Sequence, residues 1–121
     1  MIVGDPFAPI LEQEASGLLA PLGLTANFER AGYDAIREII LAEKSLPSES
    51  FDIVAFDVVW TSEFAKRGAL ISIDGFYRDD PQGIRLDQFL EPALDGIRAD
   101  GALYGLPIQP HAELLWYRTD L

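Results

Sequence analysis

Short apolar runs alternate with amphipathic patterns along most of this chain, and that alternation restricts the fold more than any other feature. Apolar residues at helical spacing predict helices, whereas short apolar or alternating runs between turn residues predict strands. The predicted order is strand, helix, strand, helix, strand, helix, over Met1–Val3, Phe7–Leu19, Leu24–Phe28, Tyr33–Ile40, Phe51–Phe56 and Trp60–Lys66. This order predicts an α/β fold, a layered sheet with helices on both faces and right-handed crossovers.

The run Phe51–Phe56 is nearly all apolar and is typical of a central parallel strand that is covered on both faces. The next predicted helix, Trp60–Lys66, is expected to end at Gly68. Beyond this point the sequence predicts a loop over Gly75–Gln88, a helix within Phe89–Arg98, a turn at Gly101 and a last strand at Leu114–Tyr117.

Composition restricts the class of protein and of partner. The 121 residues suffice for one domain, and their net charge of −11 disfavours nucleic acid or an anionic membrane, which require a basic surface. The absence of cysteine excludes disulfides, thiolate metal sites and cysteine nucleophiles. No apolar run approaches the roughly 20 residues of a membrane span, and no secretion signal is recognisable at the first residues.

Signatures of common enzymes and cofactor sites are missing from the sequence. It contains no dinucleotide-binding glycine motif, no P-loop and no G-x-S-x-G motif. The one histidine, His111, could act with Glu113 as an acid–base pair. Residues two apart on a strand share a face in any case, so a plain polar pair is an equally good interpretation.

An acid and a tryptophan follow the predicted central strand, at the edge where ligands of α/β sheets bind. Asp57 leaves the strand and Trp60 lies one helical turn later. An indole face can stack on a sugar ring, and a carboxylate accepts hydrogen bonds from sugar hydroxyls. The alternative is structural, because Asp57 could cap the helix and Trp60 could belong to the core.

Two further loops lie at the same predicted edge. Asp5 follows the first strand, and Gln109 and His111 precede the last one. All three are candidate ligand contacts. Each also has a structural alternative, because Asp5 could cap the first helix and the other two could satisfy turn backbone.

Two long blocks of sequence resemble the extracellular solute-binding proteins of ABC importers, in the maltose-binding-like branch that carries sugars. The first is Phe51–Ala65 followed by Gly68–Leu70, and the second is Asp100–Pro107 followed by Leu114–Leu121. The resemblance spans essentially the whole chain. It implies that residues 1–121 are part of the N-terminal lobe of a two-lobed periplasmic-binding-protein fold, with the rest of that lobe and the second lobe absent. Thr119–Leu121 then marks the start of the next helix.

The resemblance also implies a function. A small-molecule ligand, by default a sugar, binds between the lobes, and the closed protein delivers it to membrane permease subunits, without cofactor or catalysis. Carried over residue by residue, the ligand contacts are Asp5, Asp57, Trp60, Gln109 and His111, although His111 stands where many members have an acid. The implied location is periplasmic or extracellular, with or without a lipid anchor.

Two other functions stay open from the residues alone. One is an enzyme on an α/β scaffold that uses His111 and Glu113, and the other is a ligand-sensing regulatory domain. For the binding protein, Asp57 and Trp60 are expected to matter more to ligand affinity than to stability. The 121-residue chain itself is expected to self-associate through uncovered apolar surface and to bind sugar weakly.

Overall fold

The computed structural model describes residues 2–3, 8–43, 51–80, 82–109 and 117–120. They form an α/β fold, as the sequence predicts, in two compact units that divide after Ile71. The helices are α1 (Ala8–Leu19), α2 (Tyr33–Glu43), α3 (Thr61–Arg67), α4 (Asp74–Asp79) and α5 (Glu91–Gly96). The strands are β1 (Ile2–Val3), β2 (Arg30–Ala31), β3 (Arg98–Ala99) and β4 (Ala102–Leu103).

In the first unit, β1 and β2 form a short parallel ladder that pairs Ile2 with Arg30 and Val3 with Ala31. The parallel direction agrees with the predicted strand–helix–strand connection through α1. An ion pair also joins β2 to α1, because the Arg30 guanidinium donates from two nitrogens to the two carboxylate oxygens of Glu12, at 2.8 and 2.9 Å. This pairing holds the pKa of the Glu12 carboxyl below its ordinary value.

The core of the first unit lies between α2 and α3. Ile36 and Ile40 contribute one side of it and Phe64 the other, and all three are buried. Partly buried apolar residues pack around them: Ala31, Leu41, Phe51, Val54, Phe56, Trp60, Ala69 and Leu70. The spacing of Ile36 and Ile40 puts both side chains on one face of α2, which explains the amphipathic pattern of that helix.

A partly buried ion pair also joins these two helices. Arg37 of α2 donates to both carboxylate oxygens of Glu63 of α3 at 2.7 Å, and Arg67 lies 3.0 Å from the same carboxylate. The Glu63 carboxylate and the neighbouring Glu38 raise the pKa of Arg37. The planar arginine fork therefore fixes α2 against α3.

The predicted central strand differs from the structure. Residues 51–56 form no β-ladder in the part of the chain that the structure describes. Phe51, Val54 and Phe56 still pack on the core, whereas Ile53 is 83% exposed. The segment thus packs only partly on the core and is not a strand covered on both faces. The second predicted strand is also displaced, because the ladder residues are Arg30–Ala31 instead of Leu24–Phe28.

The second unit contains a β-hairpin. β3 and β4 pair antiparallel through the two-residue turn Asp100–Gly101, in which both residues have positive φ, 50° and 83°. Two positive φ values define the turn type that matches strand twist, and an Asp-Gly sequence favours it. The predicted turn at Gly101 is confirmed.

Helix α4 was not predicted, since the sequence indicated a loop there. Its first residue, Asp74, accepts hydrogen bonds from the Ser72 hydroxyl at 2.9 Å and from the Leu103 backbone N–H at 3.2 Å. The Ile73 N–H in turn donates to the Leu103 carbonyl at 2.8 Å. These contacts fix the start of α4 on the hairpin. The predicted last strand, Leu114–Tyr117, lies outside the described residues except for Tyr117, which is not in a strand.

Candidate functional site

Asp57 directly follows residues 51–56 and begins a turn of 3₁₀ helix over Val58–Trp60. Its carboxylate Oδ1 accepts a hydrogen bond from the Val59 backbone N–H at 3.2 Å. The Thr61 hydroxyl closes the same turn by donating to the Val58 carbonyl at 2.8 Å. Asp57 therefore caps the 3₁₀ turn that leads into α3, whereas α3 itself begins after Trp60 without a side-chain cap.

The other carboxylate oxygen has a partner that the sequence did not indicate. Tyr33, the first residue of α2, donates its phenol hydroxyl to Asp57 Oδ2 at 2.8 Å. The hydrogen bond to this carboxylate, together with partial desolvation and the negative charges of Asp57 and Asp34, raises the pKa of the Tyr33 phenol. The phenol therefore keeps its proton, and remains a donor, to a higher pH than an ordinary tyrosine does.

Trp60 contacts two aromatic rings. Its ring centroid lies 4.6 Å from that of Tyr33 and 5.9 Å from that of Phe64, with tilted planes in both pairs. Phe64 is buried, whereas Tyr33 is 47% exposed. Trp60 thus packs against the core, as the structural alternative predicts, but it is only partly buried. It also borders the exposed Tyr33.

Tyr33, Asp57 and Trp60 together form what we call the aromatic–acid cluster. It presents aromatic surface beside a carboxylate with spare acceptor capacity, because two of about four lone-pair positions are used by Val59 and Tyr33. Such a surface can stack on an apolar ring face and accept hydrogen bonds from hydroxyl or ammonium groups. Among the described residues, no group of three acidic or histidine side chains is arranged to hold a metal ion.

Of the other candidate residues, the structure describes only Gln109. Gln109 belongs to the second unit and is partly exposed at its described end. Asp5, His111 and Glu113 fall outside the described residues, so their roles stay predictions.

Tyr33 is the one cluster member that the sequence reading missed as a site residue. Its only local signal is its place a few residues after the predicted strand Leu24–Phe28, near the edge where α/β folds bind ligands. It was interpreted as part of the apolar face of a helix. The contact to Asp57 spans 24 positions, which no local pattern reveals.

We expect the Tyr33 phenol to titrate at higher pH in the intact cluster than after Asp57→Ala, which removes the acceptor. The bond needs the protonated phenol, and the folded-state pKa is raised. Its contribution to stability is therefore present in full below the unfolded-state pKa of about 10 and is lost as pH rises through the folded-state value.

The difference in phenolate absorbance between the chain and its Tyr33→Phe variant isolates this titration from the other tyrosines. Asp34→Asn is the matched control. Asp34 acts on Tyr33 through its charge alone, and this is the smallest of the effects that raise the Tyr33 pKa. It should shift the midpoint less than Asp57→Ala does. Equal midpoints with and without the Asp57 carboxylate would show that the hydrogen bond does not hold in solution.

Comparison with known proteins places this chain in a family. The family model for bacterial extracellular solute-binding proteins matches residues 15–121, which include the whole cluster. The chain belongs to this family. It is a family of bacterial extracellular solute-binding proteins, and this membership points to a binding role.

Individual relatives agree with this assignment. Provisionally named binding proteins of Brucella abortus strain 2308, Brucella abortus biovar 1 strain 9-941 and Brucella suis biovar 1 strain 1330 are each 29% identical over 99 residues. The match covers 82% of this chain and 23% of each relative, so the chain spans about a quarter of their length. No solved structure matches the chain significantly. In the described part, no helix has the length and apolar character needed to cross a membrane.

Proposed function

We propose that this chain is part of the N-terminal lobe of the substrate-binding component of an ABC importer. The complete protein binds a carbohydrate between two lobes and delivers it to membrane permease subunits. The family match supports the binding role, and the aromatic–acid cluster is the observation that supports a sugar as the ligand. Closure of two lobes around the ligand would distinguish the loaded from the empty protein for the permease.

The charge of the cluster favours a ligand class. Asp57 is an acceptor whose hydrogen bonds fix both oxygens, and the second acid near Tyr33 is Asp34. Arg37, the arginine of α2, already pairs with Glu63 and Glu38. A carboxylate or phosphate group would therefore meet repulsion here, whereas a neutral polyol supplies the donors that the site needs.

In this proposal Asp57 accepts from ligand hydroxyls and Trp60 supplies the stacking face. Asp5, Gln109 and His111 are the further ligand contacts of this proposal, as the resemblance implies. The protein acts in the periplasm or outside the cell, with or without a lipid anchor, and it uses no cofactor.

Calorimetry on the full-length gene product tests the proposal. The panel contains neutral sugars (glucose, maltose and trehalose) and anionic solutes (glucuronate and glucose 6-phosphate). We expect at least one neutral sugar to bind and both anions to fail. Asp57→Ala should weaken binding of that sugar about tenfold or more. Selective binding of an anion, or chemical conversion of a panel sugar, would contradict the proposal.

We further propose that the 121-residue chain alone self-associates and binds sugar weakly. Several large apolar side chains are exposed in the first unit, including Leu18 at 72%, Leu22 at 70% and Ile53 at 83%. Burying several hundred Å² of such surface at about 25 cal/mol per Å² outweighs the repulsion of a net charge of −11, since salt screens charges beyond about 8 Å.

Light scattering over a range of concentrations checks the association. At a concentration on the order of 10⁻⁵ M, the apparent mass should exceed the 13.4 kDa of one chain. Leu22→Lys should shift the equilibrium toward monomer. A mass of one chain at all concentrations would contradict association, and tight sugar binding by the chain alone would contradict the expectation of weak binding.

A further inference from the structure

We propose that Tyr33 is a positioning residue of the candidate binding site, which orients the Asp57 carboxylate through its hydroxyl and the Trp60 indole through its ring. The inference rests on the proposed function, in which Asp57 and Trp60 contact the solute. It adds a residue that lies in a different helix and carries neither of the two contacts itself.

The hydroxyl fixes the carboxylate. Asp57 Oδ2 accepts from Tyr33 at 2.8 Å while Oδ1 accepts from the Val59 N–H at 3.2 Å. One of these donors is backbone and the other is a side chain 24 positions away. A carboxylate held at both oxygens has its plane defined, so its remaining lone pairs point in fixed directions.

The ring fixes the indole. Trp60 contacts the Phe64 ring, which belongs to the core, and the Tyr33 ring, which is the closer of the two at 4.6 Å between centroids. Removing the Tyr33 ring would leave the exposed part of the indole without this neighbour. The indole would then sample more rotamers, and ordering it on ligand binding would cost affinity.

Tyr33 is itself held in place. It begins α2, whose residues Ile36 and Ile40 are buried in the core. The Arg37–Glu63 ion pair, with two contacts of 2.7 Å, joins α2 to α3, the helix that directly follows Trp60. The residue that orients the site thus stands on a helix fixed to the element that carries the site.

A double-mutant cycle in sugar affinity tests the hydroxyl. The variants are Tyr33→Phe, Asp57→Ala and the double variant of the full-length gene product, titrated with whichever of glucose, maltose or trehalose binds. We expect Tyr33→Phe to weaken binding about 3- to 10-fold when Asp57 is present and to have almost no effect in the Asp57→Ala background. An equal fold-loss in both backgrounds would show that Tyr33 acts independently of Asp57. An unchanged affinity in Tyr33→Phe would overturn the role of the hydroxyl.

The ring is tested without any ligand. In the 121-residue chain that carries Trp116→Phe, Trp60 is the only tryptophan, so its fluorescence anisotropy reports the freedom of the indole. Tyr33→Leu should lower this anisotropy, whereas Tyr33→Phe should preserve it. Tyr77→Phe, at another partly exposed tyrosine, is the control and should change neither anisotropy nor affinity. An anisotropy unchanged by Tyr33→Leu would overturn the role of the ring.

These outcomes separate the inference from the proposal on which it rests. If Asp57→Ala and Trp60→Ala weaken sugar binding but the Tyr33 variants do not, only the positioning role is wrong. If Asp57→Ala and Trp60→Ala both leave the affinity unchanged, the proposed site is wrong and the positioning role falls with it.

Discussion

Replacing Phe64 with alanine should destabilise the chain by about 3–5 kcal/mol, the largest effect that we expect of one substitution. The Phe64 side chain has 0% exposure and belongs to the buried set with Ile36 and Ile40. Its ring lies edge-on to Phe56 at 5.5 Å between centroids and also contacts Trp60. The substitution would therefore open a cavity at the point where α2, α3 and residues 51–56 meet.

Urea unfolding followed by circular dichroism measures this cost, with ΔG extrapolated to water. Phe76→Ala is the control, because Phe76 is an exposed phenylalanine of α4. We expect the control to change the unfolding free energy by less than about 1 kcal/mol. Equal effects of the two substitutions would show that Phe64 is not part of a packed core.

Trp60→Ala should lower both ligand affinity and stability. The sequence alone led us to expect an effect mainly on affinity, but the structure shows Trp60 packed against Phe64 and Tyr33. Loss of a stacking face should weaken sugar binding about tenfold or more, and loss of a partly buried ring should cost about 2 kcal/mol of stability.

Trp60→Phe separates the two effects. A phenyl ring retains much of the packing on Phe64 but offers a smaller face to a sugar. We therefore expect it to recover most of the stability and only part of the affinity, measured by thermal unfolding and by calorimetry on the full-length gene product. If Trp60→Ala lowers the melting temperature and leaves the affinity unchanged, Trp60 is a core residue alone.

Elements fixed by local chemistry could be predicted from the sequence. Helix α3 ends at Gly68, whose φ of 64° is the left-handed conformation that glycine adopts readily. The Asp100–Gly101 turn follows from the same reasoning, since both residues need positive φ. The apolar face of α2 is visible in the spacing of Ile36 and Ile40. In each of these cases the determining residues lie within a few positions of one another.

Elements fixed by distant contacts could not be predicted. Helix α4 depends on a hydrogen bond from the Leu103 backbone N–H to the Asp74 carboxylate, and these residues are 29 positions apart. The run Phe51–Phe56 has the composition of a strand, but a strand also needs a neighbour to pair with, and the ladder of the first unit joins β1 to β2. Composition reports which residues can be buried, and it does not report what they will pair with.

The site divides along the same line. The cap at Asp57 and the partly buried position of Trp60 were among the alternatives that local spacing allowed. The hydroxyl contact from Tyr33 was not among these alternatives, because it joins α2 to the turn before α3 across 24 positions of sequence. The non-local contact is also the one that relates the acid to the aromatic ring, so the structure contributes the geometry of the cluster where the sequence contributed its composition.

Backbone amide mapping of the full-length gene product by nuclear magnetic resonance tests the central claim most directly. A sugar from the neutral panel is titrated in, and the Val59 amide, the Trp60 indole N–H and the neighbouring amides are followed. We expect these signals to shift together with one affinity, and we expect Asp57→Ala to weaken that affinity about tenfold or more while the free protein keeps the spectrum of a folded protein. Saturable sugar binding that leaves Val59 and Trp60 unperturbed would contradict it.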